Sequence, residues 1–221
     1  MEQGNLLSAG SPGSLTPDEV RRRLAHSVSG WRSSDPATLA AVRGDHSLVP
    51  GGTPPAVPLT SAAVLVPLVM RPEGLTVLLT QRTQHLAAHG GQISFPSGKQ
   101  EPEDADSVAA ALRETEEEVG LPRDHVEVIG RLDTYVTSTG FEVTPVVGLV
   151  RAPYPSRPDP VEVAEIFEVP LAFVVDPANH RRDSREFKGR QRVFYVLPYQ
   201  QRYIWGATAG MLVNLAQVLT G

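Results

Sequence analysis

The chain has 221 residues, of which 41% are hydrophobic and 20% charged, and its 20 Lys+Arg and 25 Asp+Glu give a formal net charge of −5. This length suits one domain with an extension, and the acidic balance argues against a general binder of nucleic acid or acidic membranes, which needs a basic surface. Cysteine is absent. A disulfide framework, thiol catalysis and thiolate metal sites are therefore excluded, and any metal must bind carboxylate or imidazole.

Two features of the sequence predict a soluble, cytoplasmic protein. Residues 1–15 carry no basic segment and no long apolar stretch, unlike a secretory signal. The longest apolar run, Ala62–Met70, has nine residues, whereas a membrane helix needs about 20. The lack of cysteine is compatible with a reducing compartment.

The first 60 residues predict one helix followed by a linker. Thr16 suits the N-cap of a helix in which Pro17 is the first residue and Glu19 the third, so a helix is predicted to run to about Val28. Residues 44–60 are rich in glycine and proline and are typical of a linker.

Beyond the linker, the pattern changes between strands and helices. Strands are predicted at 62–70, 75–80, 90–95, 126–132, 142–150 and 163–169, a hairpin around 188–190, and helices at 106–119 and 208–219. Mixed strands with a few helices indicate an α/β (α+β) sandwich. We expect an N-terminal extension at 1–59 and one domain at 60–221.

The segment 106–119 has the periodicity of a helix with one buried stripe. The stripe consists of residues at i, i+4, i+7 and i+11, namely Val108, Leu112, Thr115 and Val119. Gly120, followed by Leu121 and Pro122, predicts a left-handed end to the helix.

Three carboxylates are predicted on the side of this helix away from the stripe. Glu114, Glu117 and Glu118 fall within an arc of about 100°, whereas Glu116 points elsewhere. Like charges at these spacings destabilise a helix by about 0.2–0.5 kcal/mol per pair, and the helix dipole disfavours them near its C-terminus. Arg113, four residues before Glu117, offers local compensation. Two interpretations stay open, a solvated acidic face or a site where Mg²⁺ or Mn²⁺ relieves the repulsion.

The loop and helix around these glutamates resemble the Nudix box. Residues 113–121 read R-E-T-E-E-E-V-G-L, and the core of the box reads R-E-U-x-E-E-x-G-U, where U is aliphatic. Thr115 stands at an aliphatic position. The glycine of the box would be Gly98, one residue further from Arg113 than the standard pattern, and its first acidic position falls on Asp104.

The resemblance extends to the coenzyme A pyrophosphatases of this superfamily. Residues 78–99 are similar to a signature that these enzymes carry upstream of the box, and residues 138–145, 161–171 and 203–210 resemble bacterial members. Two positions depart from that signature, where Ala87 replaces an arginine and Ser97 replaces a glycine. An arginine suits bidentate phosphate binding. Its loss leaves other nucleotide substrates (ADP-ribose, NADH or an oxidised dNTP) as an alternative. A non-catalytic Nudix-fold ligand-binding module is a further alternative, against which the three glutamates argue.

The resemblance implies a Nudix-type α/β/α sandwich with a mixed sheet and an N-terminal helical extension. It also implies a metal-dependent hydrolase that cleaves the diphosphate linkage of coenzyme A or acyl-CoA to 3′,5′-ADP and (acyl-)4′-phosphopantetheine. The expected partner is this small nucleotide, with no nucleic acid and no membrane, and a homodimer stays open.

The implied roles fall into three groups. Glu114 and Glu118 would bind Mg²⁺ or Mn²⁺, with Glu117 completing the site or holding a water on the ion, and Arg113 would orient the carboxylates. The general base would be Glu162 or, second, Glu117. The expected substrate contacts are Arg82, His89, Gly98 and Lys99.

Two weaker features complete the set of candidates. His85 and His89 have a spacing that can bind zinc, but the glutamate of an HExxH motif is missing, so packing or substrate contact is favoured. Tyr203 and Trp205 are predicted to be core aromatics and not base-stacking platforms.

Overall fold

A long hairpin forms the centre of the fold. The computed structural model describes residues 15–25, 43–49, 51–56, 58–86, 89–187 and 189–221. Strand β2 (Thr60–Arg71) turns into the antiparallel β3 (Gly74–Arg82), as the sequence predicts. Residues Ala63 to Val69 are all buried because successive side chains enter apolar clusters on opposite faces of the sheet. A strand covered on both faces has this continuous apolar sequence.

Seven more strands join the hairpin in a mixed sheet of the described chain. They are β1 (Arg43–Gly44), β4 (Ile93–Ser94), β5 (Ser97–Lys99), β6 (Val126–Arg131), β7 (Tyr135–Val136), β8 (Phe141–Arg151) and β9 (Val163–Pro170). The order is β1-β7-β8-β2-β3-β4, with β5 also beside β2, β6 beside β8 and β9 beside β3. Strands β2 and β8 are parallel, whereas β9 is antiparallel to β3. The mixed sheet is therefore confirmed.

Helices cover both faces of this sheet. They are α1 (Pro17–Ala25), α2 (Ser107–Val119), α3 (Leu171–Val175) and α4 (Gly206–Thr220). Helix α2 buries Ala110 and Ala111 against one face, and α4 joins the larger cluster on the other, together with Val20 and Leu24 of α1. The predicted α/β/α sandwich is confirmed. None of the described helices is long and apolar enough to span a membrane.

A second, three-stranded sheet leads into α4. Its strands are β10 (Arg181–Phe187), β11 (Arg190–Tyr199) and β12 (Arg202–Trp205), paired in that order. The predicted hairpin around residues 188–190 is thus confirmed. The final helix begins at Gly206, two residues before the predicted start. Tyr203 is 40% exposed and donates its hydroxyl to Asp183 at 2.7 Å, so its prediction as a core residue is wrong.

The segment predicted as a linker contains structure. Strand β1 pairs in parallel with β7, and a 3₁₀ turn follows at Asp45–Leu48. The hydroxyl of Tyr135 donates to Asp45 at 2.5 Å and ties this segment to the sheet. A two-residue strand has no periodicity of its own, so local sequence signals could not identify it.

Helix α1 begins where the sequence predicts. The N–H of Glu19 donates to the hydroxyl of Thr16 at 3.3 Å, which is the predicted cap. The predicted end at Val28 lies outside the described residues. Both α1 and β1 pack on the main sheet, and the division of the chain at residue 60 stays a prediction.

Candidate active site

Helix α2 carries the carboxylates between two well-defined ends. Asp106 caps its start, where one side-chain oxygen accepts N–H bonds of 2.9 Å from both Val108 and Ala109. Gly120 ends it with φ 70° and ψ 21°, and its N–H bonds to the carbonyl of Glu116. This left-handed conformation favours glycine, as predicted.

Glu118 lies in the interior and not on the solvent side of α2. Its side chain is 4% exposed, compared with 59% for Glu117. One carboxylate oxygen accepts the backbone N–H of Ser97 at 3.3 Å, and the other accepts from Arg82 at 3.4 Å. The prediction that Glu118 lies away from the buried stripe is therefore wrong. Helical periodicity assigns burial to apolar residues and misses a carboxylate that is covered by polar partners from distant strands.

Gly98 allows the Glu114 carboxylate to approach β5 closely. A Cβ atom at Gly98 would lie 2.0 Å from the carboxyl carbon of Glu114. No side chain is tolerated at such a distance unless the carboxylate moves. Glu114 and Glu118 are one helical turn apart, and β5 contacts both through adjacent residues.

Arg113 connects the loop before α2 with the glutamates on the helix. Its guanidinium holds Asp104 through bonds of 3.1 and 2.9 Å, and it also donates to Glu114 at 2.8 Å and to Glu117 at 3.1 Å. A further bond of 3.1 Å reaches the carbonyl of Lys99. Such a fork of donors can orient several carboxylates at once.

Arg82 bridges α2 and the loop before β9. It ends β3, and its guanidinium lies 3.4 Å from Glu118 and 3.3 Å from Glu162. The Glu162 side chain is 43% exposed, so one end of this bridge is open to solvent. Glu116, in contrast, points away from the site and pairs with Arg123 at 3.4 Å, as predicted.

The two glutamates that face the sheet are not fully compensated. Burial raises the pKa of Glu118 to about 7, against the opposing effects of Arg82 and the Ser97 N–H, and the charges of Glu162 and Glu114 act with burial. Burial also raises the pKa of Glu114, with Arg113 opposing and Glu117 and Glu162 adding to the rise. Groups perturbed by burial and by like charges in this way are concentrated at functional sites.

Comparison with known proteins identifies the family. A family model described as the NUDIX domain matches residues 59–194, more than half of the chain. The chain belongs to the Nudix family. It is 42% identical over 156 residues to the "Uncharacterized Nudix hydrolase NudL" of Yersinia pestis (strain Pestoides F), a match that covers 71% of this chain and 78% of that protein. A protein of the same name from Yersinia pseudotuberculosis serotype O:3 (strain YPIII) gives the same values.

Solved structures of Nudix proteins are also similar to this chain. An Ap4A hydrolase of C. elegans in a binary complex is 20% identical with a TM-score of 0.44, covering 53% of this chain and 84% of that one. A MutT/nudix family protein of Enterococcus faecalis is 17% identical with a TM-score of 0.45, covering 74% and 62%. Scores below 0.5 support no functional conclusion. Family membership makes this Nudix protein a hydrolase of pyrophosphate bonds, as predicted.

Nudix hydrolases typically use divalent metal ions, and the donor set of this chain fits such an ion. Glu114, Glu117 and Glu118 offer only carboxylate oxygens, which Mg²⁺ and Mn²⁺ prefer. Within the described ranges, no three His, Asp or Glu side chains are gathered in a formed metal site. The carboxylates instead contact Arg82 and Arg113, each through one of its two oxygens.

The predicted substrate residues differ in whether they contact this cluster. Gly98 and Arg82 contact the glutamates directly. Lys99 is exposed at the end of β5. His89 has φ 59°, a conformation uncommon outside glycine, and its Nδ1 shares a 2.9 Å hydrogen bond with the side chain of Gln92.

Two residues next to the glutamates had no functional role in the sequence prediction, although Thr115 was expected in the buried stripe. The N–H of Ser97 binds Glu118, and the tight loop that precedes Gly98 was the signal available for it. Thr115, which stands at an aliphatic position of the box, is 1% exposed. Its hydroxyl donates to the carbonyl of Ala111 at 2.7 Å, so the buried polar group is satisfied within the helix.

Proposed function

We propose that this Nudix hydrolase cleaves the diphosphate linkage of coenzyme A or an acyl-CoA in the presence of Mg²⁺ or Mn²⁺. The products would be 3′,5′-ADP and (acyl-)4′-phosphopantetheine. The observation that carries the proposal is the position of Glu114 and Glu118, which lie side by side against β5 with Glu162 across Arg82. The choice of coenzyme A rests on the similarity of residues 78–99 to the signature of coenzyme A pyrophosphatases.

Three glutamates of α2 would hold the cation. Glu114 and Glu118 would be its main ligands, and the exposed Glu117 would complete the site or hold a water on the ion. When bound, the cation neutralises the diphosphate and lowers the pKa of the attacking water. Arg113 keeps Glu114 and Glu117 in place through bonds of 2.8 and 3.1 Å.

Glu162 is the proposed general base, with Glu117 as the second candidate. Its carboxylate is partly exposed and lies across Arg82 from Glu118, where it can accept a proton from water attacking one phosphorus. The new bond joins the water oxygen to phosphorus, the bridging phosphorus–oxygen bond breaks, and the leaving phosphate takes the electron pair. Arg82, His89, Gly98 and Lys99 are the proposed contacts to the substrate.

A second candidate substrate class follows from Ala87. The coenzyme A signature has an arginine at this position, and its replacement removes a phosphate ligand. Hydrolysis of ADP-ribose, NADH or an oxidised dNTP is therefore the alternative. The same carboxylate cluster would serve each of these substrates.

A substrate panel with matched variants tests the proposal. The purified protein is incubated with Mg²⁺ or Mn²⁺ and with coenzyme A, acetyl-CoA, ADP-ribose, NADH or 8-oxo-dGTP, and products are identified by mass. We expect coenzyme A or its acyl form to be cleaved fastest, Glu118→Gln to lose activity, and Glu116→Gln on the same helix to keep it. Faster cleavage of ADP-ribose would refute the coenzyme A assignment alone. Equal activity of Glu118→Gln and wild type would refute the catalytic site.

The base is tested separately by two further variants. Glu162→Gln is expected to lower kcat while leaving the affinity for Mn²⁺ close to that of wild type, since Glu162 is not a proposed ligand. Glu117→Gln is expected to weaken Mn²⁺ binding. If Glu162→Gln keeps kcat and Glu117→Gln loses it without a change in Mn²⁺ affinity, the base is Glu117.

A further inference from the structure

Arg82 lies between two glutamates of the proposed active site. Its guanidinium reaches Glu118 with Nη1 and Glu162 with Nη2, and its side chain is 21% exposed. The backbone holds Arg82 beside Glu162. Arg82 lies opposite Val163 in the β3–β9 ladder, and the N–H of Thr83 donates to the carbonyl of Glu162 at 2.9 Å. The bridge therefore links a proposed metal ligand to the proposed base.

Arg82 supplies the cation that Glu118 contacts in this structure. The second arginine of the site, Arg113, is occupied by Asp104, Glu114 and Glu117. Without Arg82, the carboxylate of Glu118 would keep the N–H of Ser97 as its described hydrogen-bond donor. A charge that is 96% covered needs a partner, since burial of an unpaired carboxylate is costly.

The bridge is nevertheless long on both sides. Its distances of 3.3 and 3.4 Å compare with 2.9 Å for Arg113 and Asp104 and 2.6 Å for Arg71 and Glu168. Charge-assisted bonds at full strength have lengths of about 2.7–2.9 Å. Arg82 is thus close enough to stabilise the charge of Glu118 in part, but it is not tightly bound to it.

We propose that Arg82 is an exchangeable counter-cation, which holds Glu118 and Glu162 in the ion-free enzyme and leaves both carboxylates when a divalent cation binds Glu118. This inference rests on the metal site of the proposed function. A divalent cation bound to Glu118 would repel the guanidinium that contacts the same carboxylate, and this repulsion favours release of Arg82. Release also frees the partly exposed Glu162 from Arg82, so that its carboxylate can accept a proton. Arg82 is therefore a positioning residue that couples ion binding to release of the base.

A double-mutant cycle measured with and without the ion tests the exchange. Unfolding temperatures are recorded for wild type, Arg82→Met, Glu162→Gln and the double variant, first in EDTA and then in saturating Mn²⁺. In EDTA we expect the two substitutions to be non-additive, by about 2 °C. In Mn²⁺ we expect them to be additive, because the pair has separated. The control cycle, Arg71→Met with Glu168→Gln, should show the same coupling in both conditions.

Binding of Mn²⁺, followed by electron paramagnetic resonance, gives an independent readout. Arg82→Met should bind Mn²⁺ several-fold more tightly than wild type, because the ion has no guanidinium to displace, whereas Arg71→Met should bind it as wild type does. Arg82→Gln, which removes the charge but keeps a hydrogen-bond donor, replaces Arg82→Met if that variant does not fold, with the same expected result. If wild type binds no Mn²⁺, the metal site of the proposed function is refuted together with this inference. If wild type binds Mn²⁺ and the Arg82–Glu162 coupling is the same in both conditions, only the exchange is refuted.

Discussion

An arginine–glutamate cluster lies near each end of the paired strands β3 and β9, and the two clusters differ in how fully the glutamate is bound. At one end, Glu168 accepts bonds of 2.6 and 3.1 Å from Arg71, 2.6 Å from Thr76 and 3.1 Å from Tyr154. At the other end, Glu118 accepts contacts of 3.4 Å from Arg82 and 3.3 Å from Ser97. The first cluster is saturated with donors, and the second is not.

The pKa values follow this difference. Burial acts to raise the pKa of Glu168, but its bonds to Arg71, Thr76 and Tyr154 outweigh burial and lower it. Burial raises the pKa of Glu118 to about 7, because its two long contacts do not offset the loss of water. A saturated carboxylate belongs to the scaffold, whereas an under-compensated one keeps the capacity to bind a cation. The number and length of the hydrogen bonds that a buried carboxylate accepts, and not burial alone, therefore distinguish a structural glutamate from a cation ligand.

Removal of the glutamate charge should lower activity in one cluster and stability in the other. The largest effect is the loss of kcat expected for Glu118→Gln. Loss of a carboxylate at the proposed metal site should lower kcat roughly 10²–10³-fold, the order found for removal of one electrostatic group from an active site. The ion-free unfolding temperature should fall less than in Glu168→Gln, since a poorly compensated buried charge is lost. Steady-state kinetics and thermal unfolding measure the two quantities. Greater loss of stability in Glu118→Gln than in Glu168→Gln would contradict the distinction between the clusters.

A second substitution, Gly98→Ala, tests the active-site cluster by displacing the Glu114 carboxylate without removing its charge. In Gly98→Ala the new methyl group would lie 2.0 Å from the Glu114 carboxyl carbon, so the carboxylate must shift. A misplacement of about 1 Å at a reacting site can cost 10²-fold in rate, and we expect kcat to fall by roughly 10–100-fold. Ser97→Ala is the matched control, because it keeps the backbone N–H that binds Glu118. Equal loss in both variants would mean that the loop, and not the approach of Glu114 to Gly98, sets the activity.

The saturated cluster should affect stability and not activity. Glu168→Gln removes a charge that is 21% exposed and accepts bonds from three side chains. We expect the free energy of unfolding to fall by about 1.5–3 kcal/mol, with kcat unchanged. Thr76→Val, which removes one donor and keeps the arginine, should cost about 1 kcal/mol. Denaturant unfolding with parallel assays checks both values, and a tenfold loss of kcat in Glu168→Gln would assign this cluster to the active site.

The same comparison shows what the sequence could predict. The glycine end of α2 and the grouping of Glu114 with Glu117 could be predicted, because they depend on residues within a few positions of one another along the helix. The burial of Glu118 was not, since it depends on Arg82 and Ser97, which lie 36 and 21 residues earlier. Such contacts are set by how strands and helix pack, and a helical projection contains no information on them.

The saturated cluster of Arg71 and Glu168 could not be predicted from the sequence for a similar reason. Arg71 and Glu168 are 97 residues apart, and their pairing depends on the antiparallel register of β3 and β9 and on the end of β2. The strands themselves were predicted from composition and alternation, so the fold class was accessible. Neighbour relations between non-adjacent strands are not encoded in any local window. Charged clusters on β-sheets are therefore the part of a site that sequence reasoning identifies least well.

The smallest expected effect is the pH dependence of the stability that Glu168 contributes to the saturated cluster. The pKa of Glu168 in the folded state lies below its ordinary value of 4.5, so the folded state holds the ionised form more strongly than the unfolded state does. Its contribution to stability is therefore present above about pH 4.5 and is lost as the pH falls through the folded-state pKa. The difference in unfolding free energy between wild type and Glu168→Gln should be constant near neutral pH and should narrow only below about pH 4.5. If this difference in unfolding free energy already narrows near neutral pH, the pKa of Glu168 is raised, as that of Glu118 is. Arg71, Thr76 and Tyr154 would then not compensate the burial of Glu168.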